Sequence, residues 1–340
     1  MYQQVIDKLL RITDSIPWFK ACDKTNMFYD KELDKIIIDF SYESLDGNGI
    51  KHFDKFSEEN DIPIDKILFL NGNLRHKYSY VYSVWYFAHR LKKIFNNELP
   101  WVTNQGQKFG LVDFNVEKRK IYNCFNNSQH SHRTTVYDLL EENDLLQYGY
   151  VSYRDKGIFL PEEVENVTSL KSPEKMTVDF EDCDVSYGAF NPLVTSRTYF
   201  NLVTETHCET DDLFITEKTL KALISQPFIV VGNYGILEYL KGNGFETYSE
   251  IFDESYDLIE DHNERVTFII NEVKRLCEMD TNELQKIYKS VLWKIEHNRN
   301  VIMNWKADEL LEDLKIARIR CSIETYSSFI FLAIVEASLT

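Results

Sequence analysis

The charged side chains whose types and spacing best suit chemistry lie in one segment, residues 199–257. Glu205 follows an apolar run, and Glu217 and Lys218 stand at the start of a stretch with helical spacing. A cation in the first turn of a helix is unfavourable to the helix dipole, and a phosphate group would give it a partner. A glutamate beside such a site could accept hydrogen bonds from ribose or sugar hydroxyls. The same spacing fits a plainer structure, in which Glu217 caps its helix and Lys218 is solvated.

The elements that must position these residues follow a strand–helix–strand–turn–helix pattern. Two apolar runs, 199–204 and 227–231, have the length and β-branched content of buried parallel strands. Residues 216–224, between the two runs, have helical spacing. The turn at 232–235, after the second run, either lets a nucleotide approach the backbone closely or is only a tight turn. In a doubly wound sheet, ligands bind outside the carboxyl ends of the strands. The residues predicted at that edge are Glu205, Thr216, Glu217, Lys218, Gly232 and Asn233.

A second anion-binding arrangement is predicted further upstream. A short strand at 121–125 is followed by the polar turn NNSQHSH and then by a helix. Backbone N–H groups and the dipole at such a helix start favour an anion, and Arg133, with His130 and His132, is the cationic candidate. The loop lacks the glycines and lysine of a Walker loop. An ordinary helix start with surface histidines would explain the same residues.

The first third of the chain predicts an α/β domain. Residues 35–40 (KIIIDF) and 66–70 (KILFL) are typical of buried strands, and residues 80–95 of an aromatic-rich helix. The loops after these strands are predicted to hold Asp39, Glu43, Asn71, Asn73, Arg75 and His76. Towards the other end of the chain, helices are predicted at 267–279, 282–297 and 307–319.

Composition disfavours several classes of function. The chain has 340 residues, enough for two domains, and a net charge of −17, with acidic residues in excess across 181–261. This acidity disfavours duplex nucleic acid as a tightly held partner. Scattered cysteines, the lack of a signal-peptide pattern and the lack of any run of ~20 apolar residues predict a cytoplasmic protein with no membrane span. Acidic groups at 181–184 and 209–212 leave a hard-cation site open as an alternative, although acidic loops are commoner than metal sites.

Residues 199–240 resemble a known donor-binding segment. They read YFNLVTETHC…DDLFITEKTLKALISQPFIVVGNYGILEYL, which is similar to GT-B glycosyltransferases of the α1,3-fucosyltransferase-like (family 10-like) group. The match is densest over FITEK, residues 214–218, with residues 204–206 in place of an E-N-S element. A closer resemblance, over residues ~120–300, is to uncharacterised phage, viral and marine-bacterial glycosyltransferase-like proteins.

The resemblance implies roles for individual residues. Glu217 and Lys218 fall where the family binds the ribose and phosphates of the donor nucleotide. Phe214 falls where an aromatic side chain lies near the base, and Arg133 where a basic residue contacts the diphosphate. Thr206 stands where fucosyltransferases have asparagine, which is a departure from that group.

Together these observations predict an α/β protein with a GT-B-like fold. Two Rossmann-like domains, an acceptor domain at 1–114 and a donor domain at 115–300, would face each other across a cleft, with helices at 301–340 bracing the pair. The expected reaction moves a hexose or pentose from a nucleotide sugar to a hydroxyl of a glycan, protein or small molecule, without a metal or other cofactor. In an inverting reaction, Asp39 or Glu43 would be the catalytic base.

Two other functions remain open from the sequence. A phage or viral DNA glycosyltransferase would use a hydroxylated base as acceptor, and a viral enzyme would work in the host cytoplasm. A non-catalytic module would bind a nucleotide and transfer nothing.

Overall fold

The computed structural model describes residues 2–10, 27–41, 43–75, 78–95, 112–126, 128–153, 156–158 and 192–306. Within these residues the chain is α/β, as predicted, and forms two four-stranded sheets. His76, the acidic group at 181–184 and the helix predicted at 307–319 lie outside them.

The first sheet has the strand order β1-β2-β3-β4, with β1 antiparallel to β2 and the other neighbours parallel. Its apolar strands pack against α2, whose first turn is capped by Asp46 through a 2.7 Å bond from the N–H of Gly49 to Oδ1. The elements of this part are α1 (Tyr2–Leu10), β1 (Met27–Asp30), β2 (Lys35–Phe40), α2 (Gly47–Glu59), β3 (Ile67–Asn71), β4 (Val81–Ser83) and α3 (Tyr86–Phe95).

The second sheet is entirely parallel, with the order β6-β5-β7-β8. The chain moves from β5 to one side to form β6 and then crosses to the other side of β5 to form β7, so the strand order reverses between β5 and β7. The elements are β5 (Tyr122–Asn126), α4 (Ser131–Glu142), β6 (Gly149–Tyr153), α5 (Pro192–Ser196), β7 (Phe200–Thr204), α6 (Glu217–Leu223), β8 (Phe228–Val231), α7 (Ile236–Gly242), α8 (His262–Glu278) and α9 (Thr281–Met303).

The helix predicted at 80–95 is shorter in the structure. Residues 81–83 form β4, because they pair in parallel with β3 and satisfy their backbone groups there. The helix itself, α3, packs into the core of the second sheet through Phe87, Ala88 and Leu91. Trp85, which precedes it, makes an edge-to-face contact with Trp305, with ring centroids 5.0 Å apart. The two sheets are therefore joined by shared packing as well as by the chain.

The last two described helices begin earlier than their apolar spacing predicts. Asp261 accepts from the N–H groups of Asn263 and Glu264 and starts α8, and Asp280 starts α9 in the same way. α9 packs against α3. Among the described helices, none has the length and apolar composition needed to cross a bilayer.

Candidate functional site

The polar residues singled out in the sequence gather at the carboxyl edge of the second sheet, where the strand order reverses. β5 pairs with β7 only at Tyr122 and Asn123, so the two strands separate towards their carboxyl ends. The loop after β5 enters α4 there, and the loop after β7, residues 205–216, enters α6. Such a reversal point is where open α/β sheets bind ligands.

α4 begins at this edge without a side-chain cap. Its N-cap residue, His130, makes no side-chain bond to the helix, and the first turn contains no acidic residue. The N–H groups at the start of this twelve-residue helix therefore receive no side-chain cap from His130. The carboxylate of Glu209 lies beside them, because it accepts a hydrogen bond from the hydroxyl of Ser131, and its charge acts to raise the pKa values of His130 and His132.

Arg133 lies in that first turn and is only 4% exposed. Its Nη1 donates to the carbonyl of Ser128 over 3.1 Å, and its Nη2 to the carbonyl of Glu205 over 3.2 Å. Its Nε has no hydrogen-bond partner among the described residues. Burial lowers the pKa of the guanidinium, with the charge of Glu205 acting in the opposite direction. A buried guanidinium with an unused N–H beside an uncapped helix start is suited to an anion.

The two histidines near Arg133 are not the cations of this edge. His132 is buried, and its Nε2 lies 2.8 Å from the carbonyl oxygen of Glu205. Burial lowers the pKa of His132 to about 4, so the ring is neutral at pH 7. Burial also lowers the pKa of His130, and the charges of Arg133, His207 and Lys218 lower it further.

Glu205 is fully buried and has its carboxylate saturated within the chain. Oε1 accepts from the N–H of Thr216, the N–H of Thr219 and the hydroxyl of Thr219, over 3.1, 3.2 and 2.5 Å. Oε2 accepts from the hydroxyl of Thr216 over 2.6 Å and from the N–H of Thr206 over 3.2 Å. Because every acceptor position is occupied, we assign Glu205 a positioning role at the start of α6, in place of the predicted direct contact with a donor.

Glu205→Gln is expected to destabilise the protein by about 3 kcal/mol. The amide of glutamine has only one acceptor oxygen. Its NH₂ group would face N–H and O–H groups that now donate to the carboxylate, so these buried donors would lose their acceptor. Urea unfolding measures the loss. Glu58→Gln, an exposed substitution on α2, is the matched control and should change stability by less than about 0.5 kcal/mol. Equal effects of the two substitutions would contradict the positioning role.

Lys218 and Glu217 open α6, which is capped by Thr216 and not by Glu217. Nζ of Lys218 lies 3.1 Å from Oε1 of Glu217 and donates to the hydroxyls of Thr206 and Thr216, each over 3.2 Å. Burial opposes ionisation of Glu217, but the neighbouring charges of Lys218 and Lys221 lower its pKa overall. Lys218 keeps 31% of its side chain exposed, so its ammonium is held in place and still reachable.

The loop after β7 is held in place by buried residues, which include Phe214, Gly232 and Asn233. Asn233 is buried; its Oδ1 accepts from the N–H of Phe214 over 3.1 Å, and its Nδ2 donates to Oδ1 of Asp212 over 3.1 Å. A Cβ at Gly232 would lie 2.6 Å from Cδ1 of Ile236 and 3.2 Å from Cβ of Glu205, so a larger residue there would require these side chains to shift. Phe214 is 2% exposed, and its ring centroid lies 5.1 Å from that of His207. The base contact implied for Phe214 falls on a ring that is packed inside the protein.

The loops of the first sheet meet this edge. Asn73 accepts from the N–H of Leu213 over 3.2 Å, and the carbonyl of Leu213 accepts from the N–H of Leu74 over 2.9 Å. Arg75 donates to the carbonyls of Asp211 and Tyr234 and places its guanidinium 3.8 Å from the centroid of the Tyr234 ring. The loop after β3 is thus bonded to the loop after β7.

Glu43 reaches the site from the loop after β2. Its carbonyl accepts from the N–H of Gly72 over 2.8 Å, which ties this loop to the end of β3. Burial raises the pKa of Glu43, while the charges of His207 and Lys218 act to lower it. Asp39, the other predicted base, lies inside β2, is buried, and accepts from the N–H and hydroxyl of Ser41 over 3.1 and 2.6 Å. Of the two, the structure brings Glu43 to the charged cluster.

Gly72→Ala is expected to lower stability by about 2–4 kcal/mol. The added Cβ would lie 2.5 Å from the carbonyl oxygen of Glu43 and 2.8 Å from Cε2 of Phe214, so it would push the two sheets' loops apart. Thermal unfolding measures the loss. Gly242→Ala is the control, because a Cβ there meets nothing within 4 Å, and it should be neutral or slightly stabilising.

A hydrogen-bonded pair that the sequence did not single out as a pair lies in the same loop. Nδ1 of His207 and Oδ2 of Asp212 are 2.6 Å apart, and Asp212 is fully buried. In the described part of the chain no group of three or more His, Cys, Asp or Glu side chains is arranged to hold a metal ion.

The site therefore consists of Arg133 and Lys218 on the second sheet, Glu43 on the first, and the His207–Asp212 pair between them. Comparison with models of known protein families finds no match for the chain. A search of curated proteins finds no match either. Function is therefore inferred from the residues of this chain and from the resemblance of their pattern.

Proposed function

We propose that this protein is a glycosyltransferase that uses a nucleotide-sugar donor. One observation carries the proposal: two cations bond to consecutive residues at the reversal point of a parallel sheet. Arg133 donates to the carbonyl of Glu205 and Lys218 to the hydroxyl of Thr206, and a carboxylate from the other sheet, Glu43, lies within reach of the charge of Lys218. The charge of Lys218 acts on His130, which lies beside Arg133, and on Glu43. Arg133, Lys218 and Glu43 therefore share one electrostatic environment. The FITEK resemblance supports the same use of Glu217 and Lys218.

Each group has a role in such a reaction. Arg133, the free N–H groups of α4 and Lys218 would bind the diphosphate and offset the negative charge that develops on it as it leaves. Glu217 would accept a hydrogen bond from the ribose. Glu43 would face the acceptor hydroxyl from the first sheet. Because the chain's own cations supply the charge compensation, we propose a reaction that needs no metal.

The two sheets then correspond to a donor side and an acceptor side, the GT-B arrangement expected from the resemblance. The bonds between the loops after β3 and β7 support this proposal, because they hold the carboxyl edges of both sheets against each other.

A panel of nucleotide sugars tests the function. Release of nucleoside diphosphate is measured for UDP-, GDP-, ADP- and dTDP-sugars, with water as the acceptor, in the presence and absence of EDTA. We expect slow hydrolysis of one donor class and a raised melting temperature with its nucleoside diphosphate. Binding without release would favour the non-catalytic module, and activity lost with EDTA would overturn the metal-free reaction. Neither binding nor release of any donor would overturn the function altogether.

A further inference from the structure

We infer that His207, oriented by Asp212, is the catalytic residue that accepts the proton of the attacking hydroxyl. The inference rests on the proposed glycosyl transfer and names its proton acceptor, which the sequence had placed on Glu43 or Asp39. It is carried by the geometry of the pair and by its position between the two sheets.

Asp212 is built to orient an imidazole. Its Oδ2 lies 2.6 Å from Nδ1 of His207. Its Oδ1 accepts from Nδ2 of Asn233 over 3.1 Å and from the hydroxyl of Thr210. A fully buried carboxylate held by these two other partners accepts a hydrogen bond from Nδ1–H, which leaves Nε2 of His207 as the basic nitrogen. Asp212 is therefore a positioning residue.

His207 lies where the two halves of the site meet. Its side chain is 24% exposed, so the ring is held but not sealed from a substrate. Its ring contacts Phe214, the residue whose Cε2 lies against Gly72 of the first sheet. The charges of Glu43, from the loop after β2, and of Glu205, at the end of β7, also act on it. The charge of His207 in turn helps to lower the pKa of His130, which precedes α4.

These neighbours set the ionisation of His207. Burial opposes protonation, but the hydrogen bond and charge of Asp212, with the charges of Glu43 and Glu205, raise its pKa above the ordinary value of 6.5. A base works in its unprotonated form, so the rate should fall as pH decreases through this raised pKa. The surrounding carboxylates also stabilise the imidazolium that forms when the proton arrives.

The step balances within the groups named. The O–H bond of the acceptor breaks, its proton moves to Nε2 of His207, and the oxygen forms a bond to the anomeric carbon. The bond from that carbon to the donor phosphate breaks, and its electron pair leaves with the nucleoside diphosphate near Arg133 and Lys218. The imidazolium later releases its proton to water, which restores the neutral ring.

The test compares His207→Gln with wild type on the nucleotide sugar that wild type hydrolyses fastest. We expect kcat to fall by roughly 10²–10⁴-fold, while the Kd for the matching nucleoside diphosphate changes less than about threefold. Asp212→Asn should lower kcat and move the acidic limb of the pH–rate profile to lower pH, because the charge of Asp212, the nearest group that raises the pKa of His207, is lost. The same shift should appear in an NMR titration of His207. His297→Gln, on α9, is the control.

The outcomes separate the two proposals. If wild type hydrolyses a donor and His207→Gln does so at a similar rate, His207 is not the proton acceptor, and the proposed function stands. If Glu43→Gln abolishes activity while His207→Gln is mild, the base is Glu43. If wild type neither binds nor hydrolyses any donor, the proposed function fails and this inference fails with it. Because Asp212 is buried, thermal unfolding of Asp212→Asn is measured alongside the assays. If Asp212→Asn does not fold, His207→Gln alone decides whether His207 is the proton acceptor.

Discussion

Lys218→Ala is expected to lower kcat for donor turnover by roughly 100- to 1,000-fold, the usual cost of removing one fixed group that stabilises transition-state charge. The ammonium of Lys218 is anchored by Glu217, Thr206 and Thr216 at 3.1–3.2 Å. It needs no rearrangement to meet the charge on a leaving diphosphate. Release of nucleoside diphosphate, with kcat and KM measured separately, checks the prediction. A larger loss in kcat than in KM would show that the contact strengthens in the transition state.

Two further substitutions give this prediction its controls. Lys241→Ala removes an exposed lysine of α7 that pairs with Glu254, so it changes charge equally and should leave turnover unchanged. Lys218→Arg keeps the charge but not the compact shape, and it should recover part of the activity. Wild-type turnover in a folded Lys218→Ala protein would remove Lys218 from the reaction.

The strands were predictable because parallel strands buried on both faces appear as continuous apolar runs. KIIIDF is β2 to the residue, and FIVV is β8, with all four residues buried. The edge strand β4 was missed because a three-residue strand has too few residues to show a period. The helix ends shifted because Asp261 and Asp280 start α8 and α9 through side-chain bonds, which apolar spacing does not register.

The site was predictable where it depends on topology. Residues after neighbouring parallel strands must share one sheet edge, which predicted a ligand-binding edge for the loops that hold Arg133 and Lys218. The spacing gave them as separate candidates, and the family resemblance assigned both to the donor. What each loop residue contacts could not be predicted in this way. Glu205 and Phe214 turn inward because Thr216, Thr219 and Gly72 lie where they do, and these contacts join segments that no local pattern connects.

The contact between His207 and Asp212 was likewise not predictable from the sequence. A histidine and an aspartate five residues apart in a loop have no period that predicts contact. Asn233, from the turn after β8, fixes Asp212 and so creates the pair. Asn233 was predicted from the sequence at the ligand-binding edge, but its bond to Asp212, and hence the orientation of His207, was not.

Arg133→Lys is expected to weaken nucleoside diphosphate binding by roughly 10- to 100-fold. Arg133 uses Nη1 and Nη2 on backbone carbonyls and keeps Nε without a partner among the described residues. A single ammonium cannot hold both carbonyls and also donate to phosphate. Isothermal titration with the nucleoside diphosphate, and separately with inorganic pyrophosphate, measures the change. Both ligands should lose similar factors, because the contact is to the phosphates and not to the base.

The stability of this variant must be followed at the same time, because Arg133 is buried. Loss of its two carbonyl bonds is expected to cost about 1–3 kcal/mol, which urea unfolding measures independently of binding. Arg275→Lys is the matched control: Arg275 pairs with Glu272 on α8 and lies outside the site. A folded Arg133→Lys protein with wild-type affinity for both ligands would place the diphosphate elsewhere. Weaker binding of pyrophosphate by a folded Arg133→Lys protein, together with unchanged binding by Arg275→Lys, would locate the anion at the start of α4, because the charge of the protein is the same in every variant compared.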